Sequence, residues 1–369
     1  MLLLQALGSN GSGQLGLGHK DDVSSPEPVL LPPSLANSTS PTTPKVCRIA
    51  AGGNHTLLLL SSGDLLWSGD HTTGACGQVT AADTAELRPE FRPVDLSVLP
   101  EGSNVRHVAA TWAASVVVAS SGGNGADVVY SFGSGEKGEL GLGQGTFRAS
   151  TPTQIPNFPP PGTQVVDISG CMGHVVAVLS NGEAWGWGNG RKGQLGDPLS
   201  GTVHTPRRIE AVGFRAVKAV CGREFTCLIG PAETGEIVVL GSDKWGVRSG
   251  APGNVTGWKE VGAGWGSVFV LKGDGTLLSW GRDDHGQLAR EDLARVRHIA
   301  VGSEHALALT ETGDLMVWGW GEHGNCGPIR EDNGEKGQRN RIISSEQGTK
   351  ITVIGAGCAT SWFAIEKPT

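Results

Sequence analysis

Four stretches of the sequence carry the spacing Gly-x-Gly-x-x-Gly, which cradles a pyrophosphate in dinucleotide-binding proteins. They begin at Gly11, Gly133, Gly188 and Gly319. A phosphate site would require a helix after the loop, because the N–H groups of the first helical turn bind the pyrophosphate. Each stretch leads instead into proline or a further loop. We therefore interpret these glycines as turn residues and expect no nucleotide cofactor.

Two cysteine and histidine pairs have the short spacing of metal ligands, Cys171 with His174 and His323 with Cys326. A zinc site needs at least three protein ligands, and neither pair has a second pair at a suitable separation in the sequence. No P-loop occurs, and no Ser-His-Asp set can be assembled by motif. These patterns favour a protein that is not an enzyme and holds no metal or other cofactor.

A repeat organises the glycines and histidines. The segment from Leu7 to Gly16 recurs in looser form after short apolar runs, with anchor glycines at Gly8, Gly69, Gly133, Gly188, Gly241, Gly281 and Gly321. In six copies a second glycine follows five residues later, whereas the copy at Gly321 is interpreted as two residues shorter. A second element, typified by Ile49-Ala-Ala-Gly-Gly-Asn-His55, alternates with the first and also occurs seven times.

Each unit predicts two apolar strands, the turn between them and a polar glycine loop. Repeats of roughly 40 to 60 residues with this pattern are typical of propeller blades. The chain opens with a half of the second kind at residues 3–18 and closes with a half of the first kind at 351–365. The sequence therefore predicts an all-β, seven-bladed β-propeller over 1–369, one domain closed by pairing of the N- and C-terminal strands.

Four stretches fall outside the repeat and are predicted to be flexible insertions. Two are proline-rich, one is mixed in composition, and the last is densely charged. They cover residues 24–45, 144–163, 79–104 and 330–349.

Composition excludes several classes of protein. Glycine occurs 58 times without a Gly-X-Y period and 38% of residues are hydrophobic, which excludes collagen and wholesale disorder. The net charge of −7 argues against duplex nucleic acid as a primary partner. Seven scattered cysteines are typical of reduced thiols, and no apolar run reaches the ~18 residues of a membrane span. We expect a cytoplasmic protein that can also enter the nucleus and contacts no membrane.

The repeat resembles that of a known superfamily. Its pattern Val-x-x-Ile-Ala-x-Gly-x-x-His, followed by Gly-Asp-Leu-x-x-Trp-Gly and Gly-Gln-Leu-Gly, resembles the regulator-of-chromosome-condensation propellers over nearly the whole chain. Four strings are similar to the fungal alpha-tubulin-suppressor family: Trp318-Gly-Trp-Gly-Glu-His-Gly-Asn-Cys-Gly-Pro328, Gly357-Cys-Ala-Thr-Ser-Trp362, Gly8-Ser-Asn-Gly and Gly52-Gly-Asn-His55. The string that begins at Trp318 is the most specific of them.

That resemblance implies a non-enzymatic scaffold that forms a heterodimer with a small CSL-type protein binding zinc or iron. The partner serves diphthamide synthesis and Elongator-dependent modification of wobble uridines in tRNA, so the link to Elongator is indirect and no direct nucleic-acid contact is implied. The founding members of the superfamily imply an alternative, a guanine-nucleotide exchange factor for a small GTPase. A homodimeric light sensor built on face tryptophans is disfavoured, because the candidate tryptophans are not in adjacent blades.

Large aromatic residues at turn positions are candidate anchors for the partner. Trp112 and Trp265 share the repeat position of Gly53, at the start of a strand, where an indole is hard to bury. We expect both side chains to be exposed on one face of the propeller.

The tight seventh loop supplies the remaining candidates, and Trp320, Glu322, His323 and Asn325 are predicted to contact the partner. A shorter loop would present Glu322 and His323 in a narrow range of orientations, which suits recognition. An alternative is that Pro328 and the charged stretch after it simply require a tight exit from the strand.

Three histidines, His55, His174 and His305, occupy one repeat position before an apolar strand. We predict that each imidazole is buried and hydrogen-bonds to backbone carbonyls of a neighbouring turn. Glu304, beside the last of them, is expected to be exposed at a rim and is included among the partner-binding candidates.

Overall fold

The computed structural model describes residues 2–36, 43–78, 88–122, 125–196, 201–210, 212–328, 338–344 and 349–366. Within these ranges the regular structure is β-strand, apart from one α-helical turn, α1 (Pro33–Ala36), and one 3-10 turn (Lys244–Gly246). No helix in the described ranges is long and apolar enough to cross a membrane.

The strands form seven antiparallel sheets, which we number as blades in chain order. Blade 1 contains β3 (Val46–Ala51), β4 (His55–Leu60), β5 (Leu65–Gly69) and β6 (Arg92–Pro93). Blade 2 contains β7 (Asn104–Ala110), β8 (Ala114–Ser120), β9 (Asp127–Ser134) and β10 (Arg148–Gln154). Blade 3 contains β11 (Val165–Cys171), β12 (His174–Leu179), β13 (Ala184–Asn189) and β14 (Thr202–Arg208).

The next two blades have three strands each in the described chain. Blade 4 contains β15 (Lys218–Cys221), β16 (Phe225–Ile229) and β17 (Ile237–Gly241), and blade 5 contains β18 (Trp258–Ala263), β19 (Ser267–Lys272) and β20 (Leu277–Gly281). Blade 6 contains β21 (Val296–Val301), β22 (His305–Thr310), β23 (Leu315–Gly319) and β24 (Gln338–Ile343). Blade 7 combines β25 (Lys350–Ala356) and β26 (Thr360–Glu366) with β1 (Leu2–Gly8) and β2 (Val23–Pro28).

The two ends of the chain close the ring. β1 pairs with β26 without a break, from Leu2 opposite Glu366 to Gly8 opposite Thr360. The innermost strand of every blade lies beside the innermost strands of both neighbouring blades, and β25 lies between β21 and β3. The prediction of an all-β, seven-bladed propeller closed by its terminal strands is confirmed.

The hydrophobic core lies between successive blades. Every residue of β4 is buried, because this second strand of blade 1 is covered on both of its faces. Leu57 and Trp67 of blade 1 pack in one cluster with Val108 and Val117 of blade 2. Packing of this kind explains why the second strands are continuous apolar runs rather than alternating ones.

Outermost strands lie inside the four segments that the sequence predicted to be insertions. β2 overlaps the start of 24–45, and β6, β10 and β24 fall within 79–104, 144–163 and 330–349, respectively. Two of these segments are proline-rich, and an edge strand accepts proline because its missing N–H can face away from the sheet. Residues 37–42, 79–87, 329–337 and 345–348 lie outside the described residues.

One end of the propeller carries two sets of turns, and we call it the glycine-loop face. His55 pairs with Gly69, so the turn between β3 and β4 and the glycine loop after β5 lie at the same end of blade 1. The equivalent pairings of His174 with Gly188 and His305 with Gly319 repeat this arrangement. Residues at the Gly53 position and residues of the glycine loops therefore meet on one face.

The seventh glycine loop is not shortened, so the sequence interpretation of this loop is wrong. β23 ends at Gly319, which pairs with His305 and has φ of +117°, like Gly8 at the end of β1. Gly324 follows five residues later, which is the spacing of the other six loops. The string Trp318-Gly-Trp-Gly contains two glycines that could be the anchor glycine of the repeat. The anchor is Gly319, and the choice of Gly321 was wrong.

Candidate functional site

Turn residues at the Gly53 position surround the mouth of the central channel on the glycine-loop face. The N–H of Gly53 donates to the carbonyl of Trp112 at 2.9 Å, and the N–H of Trp112 donates to that of Met172 at 2.9 Å. On the other side of the mouth, the N–H of Trp265 donates to the carbonyl of Ser303 at 2.7 Å. These bonds between blades fix the backbone from which the indoles project.

Glycine at position 53 allows the indole of Trp112 to lie directly on this turn. A Cβ at this position would lie 2.6 Å from two ring atoms of Trp112, closer than real contacts allow. The ring of Trp112 therefore rests directly on the turn of the neighbouring blade. The ring contacts this turn and the indole of Trp265, which suits a preorganised binding surface.

Trp112 and Trp265 meet across the channel mouth, although they belong to blades 2 and 5. Their ring centroids are 6.3 Å apart and the rings are tilted by 42°. Trp112 is 42% exposed, as expected, whereas Trp265 is half-buried. Separation by two blades does not keep the indoles apart, because all seven turns converge on the channel; the sequence argument from non-adjacent blades overlooked this geometry.

A cavity of about 300 Å³ opens beside this pair of indoles. Six of the seven residues predicted to bind a partner line it: Trp112, Trp265, Glu304, Trp320, Glu322 and His323. They come from blades 2, 5 and 6, and are brought together by the turns at the channel mouth and the glycine loop of blade 6.

Glu304 lies in this cavity, but the expectation that it is exposed is wrong, since its relative exposure is 7%. Its carboxylate pairs with the guanidinium of Arg282 and accepts a hydrogen bond of 3.0 Å from the amide of Gln287. A buried carboxylate needs such partners to offset its lost hydration. Glu304 therefore contributes to the cavity as part of a paired, fixed group.

Asn325 does not reach the cavity, which corrects its inclusion among the partner-binding residues. It is 1% exposed, and its side-chain amide donates to the carbonyl of Trp320 at 3.0 Å. It occupies the loop position of Gln14 and Gln287, which are buried as well. With the loop spacing corrected, Asn325 is the residue that holds the loop closed.

Glu322 and His323 are the exposed tip of that loop. His323 Nδ1 lies 3.0 Å from the Asp22 carboxylate, and the other Asp22 oxygen accepts a hydrogen bond of 2.7 Å from the N–H of Asn10. This contact ties the tip of the blade 6 loop to the loop of blade 7. Both residues are thus accessible to a partner at the rim of the cavity.

The three repeated histidines are buried as predicted, and the Nε2 atom of each lies at hydrogen-bond distance from a hydroxyl group. His55 Nε2 lies 3.0 Å from the Ser115 hydroxyl, and His305 Nε2 lies 2.9 Å from that of Ser361. His174 makes the same contact with Thr226 at 3.0 Å. Each hydroxyl belongs to the next blade, at the position immediately after the histidine position. The contacts therefore join neighbouring blades.

In two of these contacts, the second hydrogen bond of the hydroxyl group shows that the imidazole is the donor. Ser115 donates to the carbonyl of Ala75 at 2.7 Å and Ser361 donates to that of Asn325 at 2.8 Å, so each hydroxyl accepts from the imidazole. Burial lowers the pKa of His55, His174 and His305 to about 4. All three imidazoles are accordingly neutral at pH 7. Their role is structural, because each joins two neighbouring blades.

Sequence reasoning missed several residues that complete the site. His285 stacks on Trp320 with ring centroids 4.3 Å apart, and Arg282 lies over both Trp320 and Trp245. Arg223 lies over the ring of Trp265. A signal was available, since Arg282 and His285 lie in the glycine loop that precedes that of Glu322, and Arg223 occupies the Gly53 position.

The two cysteine and histidine pairs with the spacing of metal ligands contact other groups in the structure. Cys326 is buried under the blade 6 loop, where burial raises the pKa of its thiol to about 12, and His323 faces Asp22. His174 contacts Thr226, and burial likewise raises the pKa of Cys171. Across the part of the chain that the structure describes, no three His, Cys, Asp or Glu side chains are grouped to hold a metal ion. The glycine motifs lie in turns after strands, at positive φ for Gly13, Gly138, Gly193 and Gly324.

Seven sheets around a channel, with an aromatic cavity at one mouth, define the class as a seven-bladed β-propeller. The family described as RCC1-like domain matches residues 4–363, and the chain belongs to this family. An RCC1 repeat-containing protein of Schizosaccharomyces pombe is 31% identical over 99% of both chains. The secretion-regulating guanine nucleotide exchange factor of Mus musculus is 27% identical over 90% of this chain and 77% of that protein.

Solved structures share the fold at low identity. Prp20p of Saccharomyces cerevisiae superimposes with a TM-score of 0.80 at 24% identity, over all of this chain and 92% of that chain. Human WBSCR16 superimposes with a TM-score of 0.79 at 17% identity over the whole of both chains. At these identities the likeness concerns the fold alone.

Proposed function

We propose that this propeller is a non-enzymatic scaffold that binds a small CSL-type metal-binding protein on its glycine-loop face. Through that partner it would support Elongator-dependent modification of wobble uridines in tRNA and diphthamide synthesis. The observation that carries the proposal is that six of the seven candidate residues, which come from three different blades, line one cavity. Interface anchors are characteristically Trp, Tyr and Arg, and three tryptophans, Trp112, Trp265 and Trp320, line this cavity.

The partner's identity rests on the sequence strings similar to the fungal alpha-tubulin suppressor, also called killer-toxin-insensitivity protein thirteen. The most specific string, Trp318 to Pro328, is the glycine loop that supplies Trp320, Glu322 and His323 to the cavity. The similarity to a fungal RCC1 repeat-containing protein over nearly the whole described propeller is in keeping with this resemblance. Binding in the cytoplasm and the nucleus is part of the same proposal.

A guanine-nucleotide exchange factor is the second candidate. One specific observation favours it, the similarity to a mouse protein that carries this activity in its name. The cavity itself argues for a docking surface, because hydrogen bonds between blades fix the turns that carry its indoles.

Two measurements on the purified chain separate the candidates. Titration calorimetry with the metal-loaded CSL-type protein is expected to show a one-to-one complex. Release of a fluorescent nucleotide from small GTPases is expected to stay at the uncatalysed rate. Absence of the complex together with accelerated release would replace the scaffold proposal by the exchange-factor one.

A further inference from the structure

We propose that a groove beside the cavity binds an acidic segment of the docked protein, an inference that rests on the proposed function and deepens it. The groove lies between blades 4 and 5 and is lined by Arg223, Lys244, Trp245, Trp265 and Arg282. We call it the cationic groove. No family pattern in the sequence pointed to it.

Cations and indole rings alternate along the cationic groove. Arg223 lies 5.4 Å from the ring centroid of Trp265, and Lys244 lies 5.2 Å from that of Trp245. Arg282 lies 5.0 Å from the same ring of Trp245. Such cation–π contacts hold the positive groups in place without neutralising them. The groove therefore presents oriented positive charge rather than mobile side chains.

Only one of the three cations has its charge matched. Arg282 is paired with Asp284 and Glu304. In contrast, no carboxylate among the described residues pairs with Arg223 or Lys244, and both residues are exposed. The lining of the groove holds three cations against the two carboxylates of Glu224 and Glu304, and in a chain of net charge −7 this local surplus favours an anionic ligand.

Backbone strain marks the same place. Trp245 has φ of +68°, a left-handed conformation that a bulky residue rarely adopts, and it is 45% exposed. Blades 4 and 5 have three strands each, so the loop after β17 does not lead into a fourth strand. It turns instead through the 3-10 segment and directs Lys244 and Trp245 to the groove. Strain of this kind persists where the surrounding structure or function requires it.

An acidic peptide segment fits this groove better than nucleic acid. A phosphodiester chain carries a charge on every nucleotide and needs an extended run of cations, whereas this groove offers two cations without a carboxylate partner in the described chain, Arg223 and Lys244. Two free cations instead match one or two carboxylates, and the exposed indole of Trp245 can contact an apolar side chain beside them. Trp265 and Glu304 line both the cationic groove and the cavity, so one protein can occupy both.

The test uses the intact chain and two probes, the CSL-type protein and a fluorescent peptide of alternating Glu, Asp and Phe. The variant R223E/K244E reverses the unmatched charges. The matched control is R191E/K192E, which makes the same change of charge on the glycine loop of blade 3, outside the groove. Affinity for each probe is measured from low to high salt.

We expect R223E/K244E to weaken peptide binding at least tenfold at low salt and to flatten its salt dependence, while the control changes affinity less than twofold. W245A should weaken binding without altering the salt dependence. Equal losses in both charge variants would overturn the proposal, as would an oligonucleotide that displaces the peptide. Self-association of the chain that R223E/K244E abolishes would overturn it in favour of a second copy. If the CSL-type protein fails to bind the unmodified chain while the peptide result holds, the proposed function falls and the groove stands.

Discussion

Trp112 contributes exposed aromatic area where a partner can reach it, rather than filling the core. Its ring rests on Gly53 and faces Trp265, yet is 42% exposed. We expect W112A to weaken binding of the CSL-type protein by about 2 kcal/mol or more, as for an interface anchor. Thermal stability should stay nearly unchanged, whereas a core tryptophan would cost about 3 to 5 kcal/mol.

Calorimetry and a melting curve on the same W112A sample give both quantities. F147A is the matched control, since Phe147 is an aromatic residue 50% exposed and outside the cavity. Unaltered affinity combined with a large fall in melting temperature would assign Trp112 to the core.

Glu322 and His323 form the tip of the blade 6 loop, held closed from beneath by Asn325. We expect E322A/H323A to impair partner binding and tRNA modification together, because both side chains are exposed at the cavity rim. The fold should survive, since the contact of His323 with Asp22 is partly exposed and such pairs are worth about 1 kcal/mol or less.

R191A/K192A is the matched control for this loop, because these residues occupy the same two positions in the glycine loop of blade 3. Normal affinity in a folded E322A/H323A variant would remove the loop from the binding site. Nucleotide exchange on a GTPase that this variant abolishes would instead promote the exchange-factor candidate.

Residues at repeat positions could be predicted from the sequence, and side-chain partners could not. Trp112 and Trp265 were identifiable because large rings at a turn position depart from the repeat. The burial of Glu304 depends on Arg282, which is distant in sequence and gives no pattern with it. Asn325 was misassigned because the choice between Gly319 and Gly321 as anchor shifted its position in the loop.

Three hydrogen bonds that join strands of neighbouring blades depend on neutral histidines. His55, His174 and His305 have a folded-state pKa of about 4, below the ordinary value of about 6.5. Between these values the unfolded chain binds more protons, so stability should fall as the pH decreases from about 6.5 to 4. Each histidine contributes about 3 kcal/mol to this loss at most.

Urea unfolding at several pH values measures this dependence. H305Q keeps an N–H donor near Ser361 but cannot be protonated. It should therefore reduce the slope of the free energy of unfolding against pH by up to the contribution of one bound proton, whatever its effect on absolute stability. A stability that is constant from pH 6.5 to 4.5, or an unchanged slope in H305Q, would contradict the role of these imidazoles.

The sequence predicted some strands of a blade better than others. Second strands such as β4 are apolar throughout because both faces are covered, and they were found. Outermost strands such as β2 and β10 carry proline and polar residues because one edge and much of their surface face solvent, so their pattern resembles that of a loop.

Closure of the whole ring depends on β1. Deleting residues 2–8 would expose the edge of β26 and the apolar surfaces that the buried side chains of Leu4, Ala6 and Leu7 cover. We expect this deletion to destabilise the entire propeller, because each blade is packed between two neighbours.

Circular dichroism during urea unfolding shows the effect as a lower midpoint and a broader transition. A synthetic peptide of residues 1–10 added in trans is expected to restore part of the loss by supplying the missing strand. A deletion variant that unfolds cooperatively at the original midpoint would show that closure by the termini does not stabilise the ring.

Docking of the partner on the glycine-loop face is tested most directly by oxidative footprinting of the complex. Trp112, Trp245 and Trp320 are exposed in the free chain, as are Phe147 and Val98 outside the cavity and groove. When the CSL-type protein is bound, mass spectrometry should show a several-fold decrease in oxidation of the three tryptophans and no change at Phe147 and Val98. Unchanged oxidation of the tryptophans in a saturated complex would contradict docking on this face.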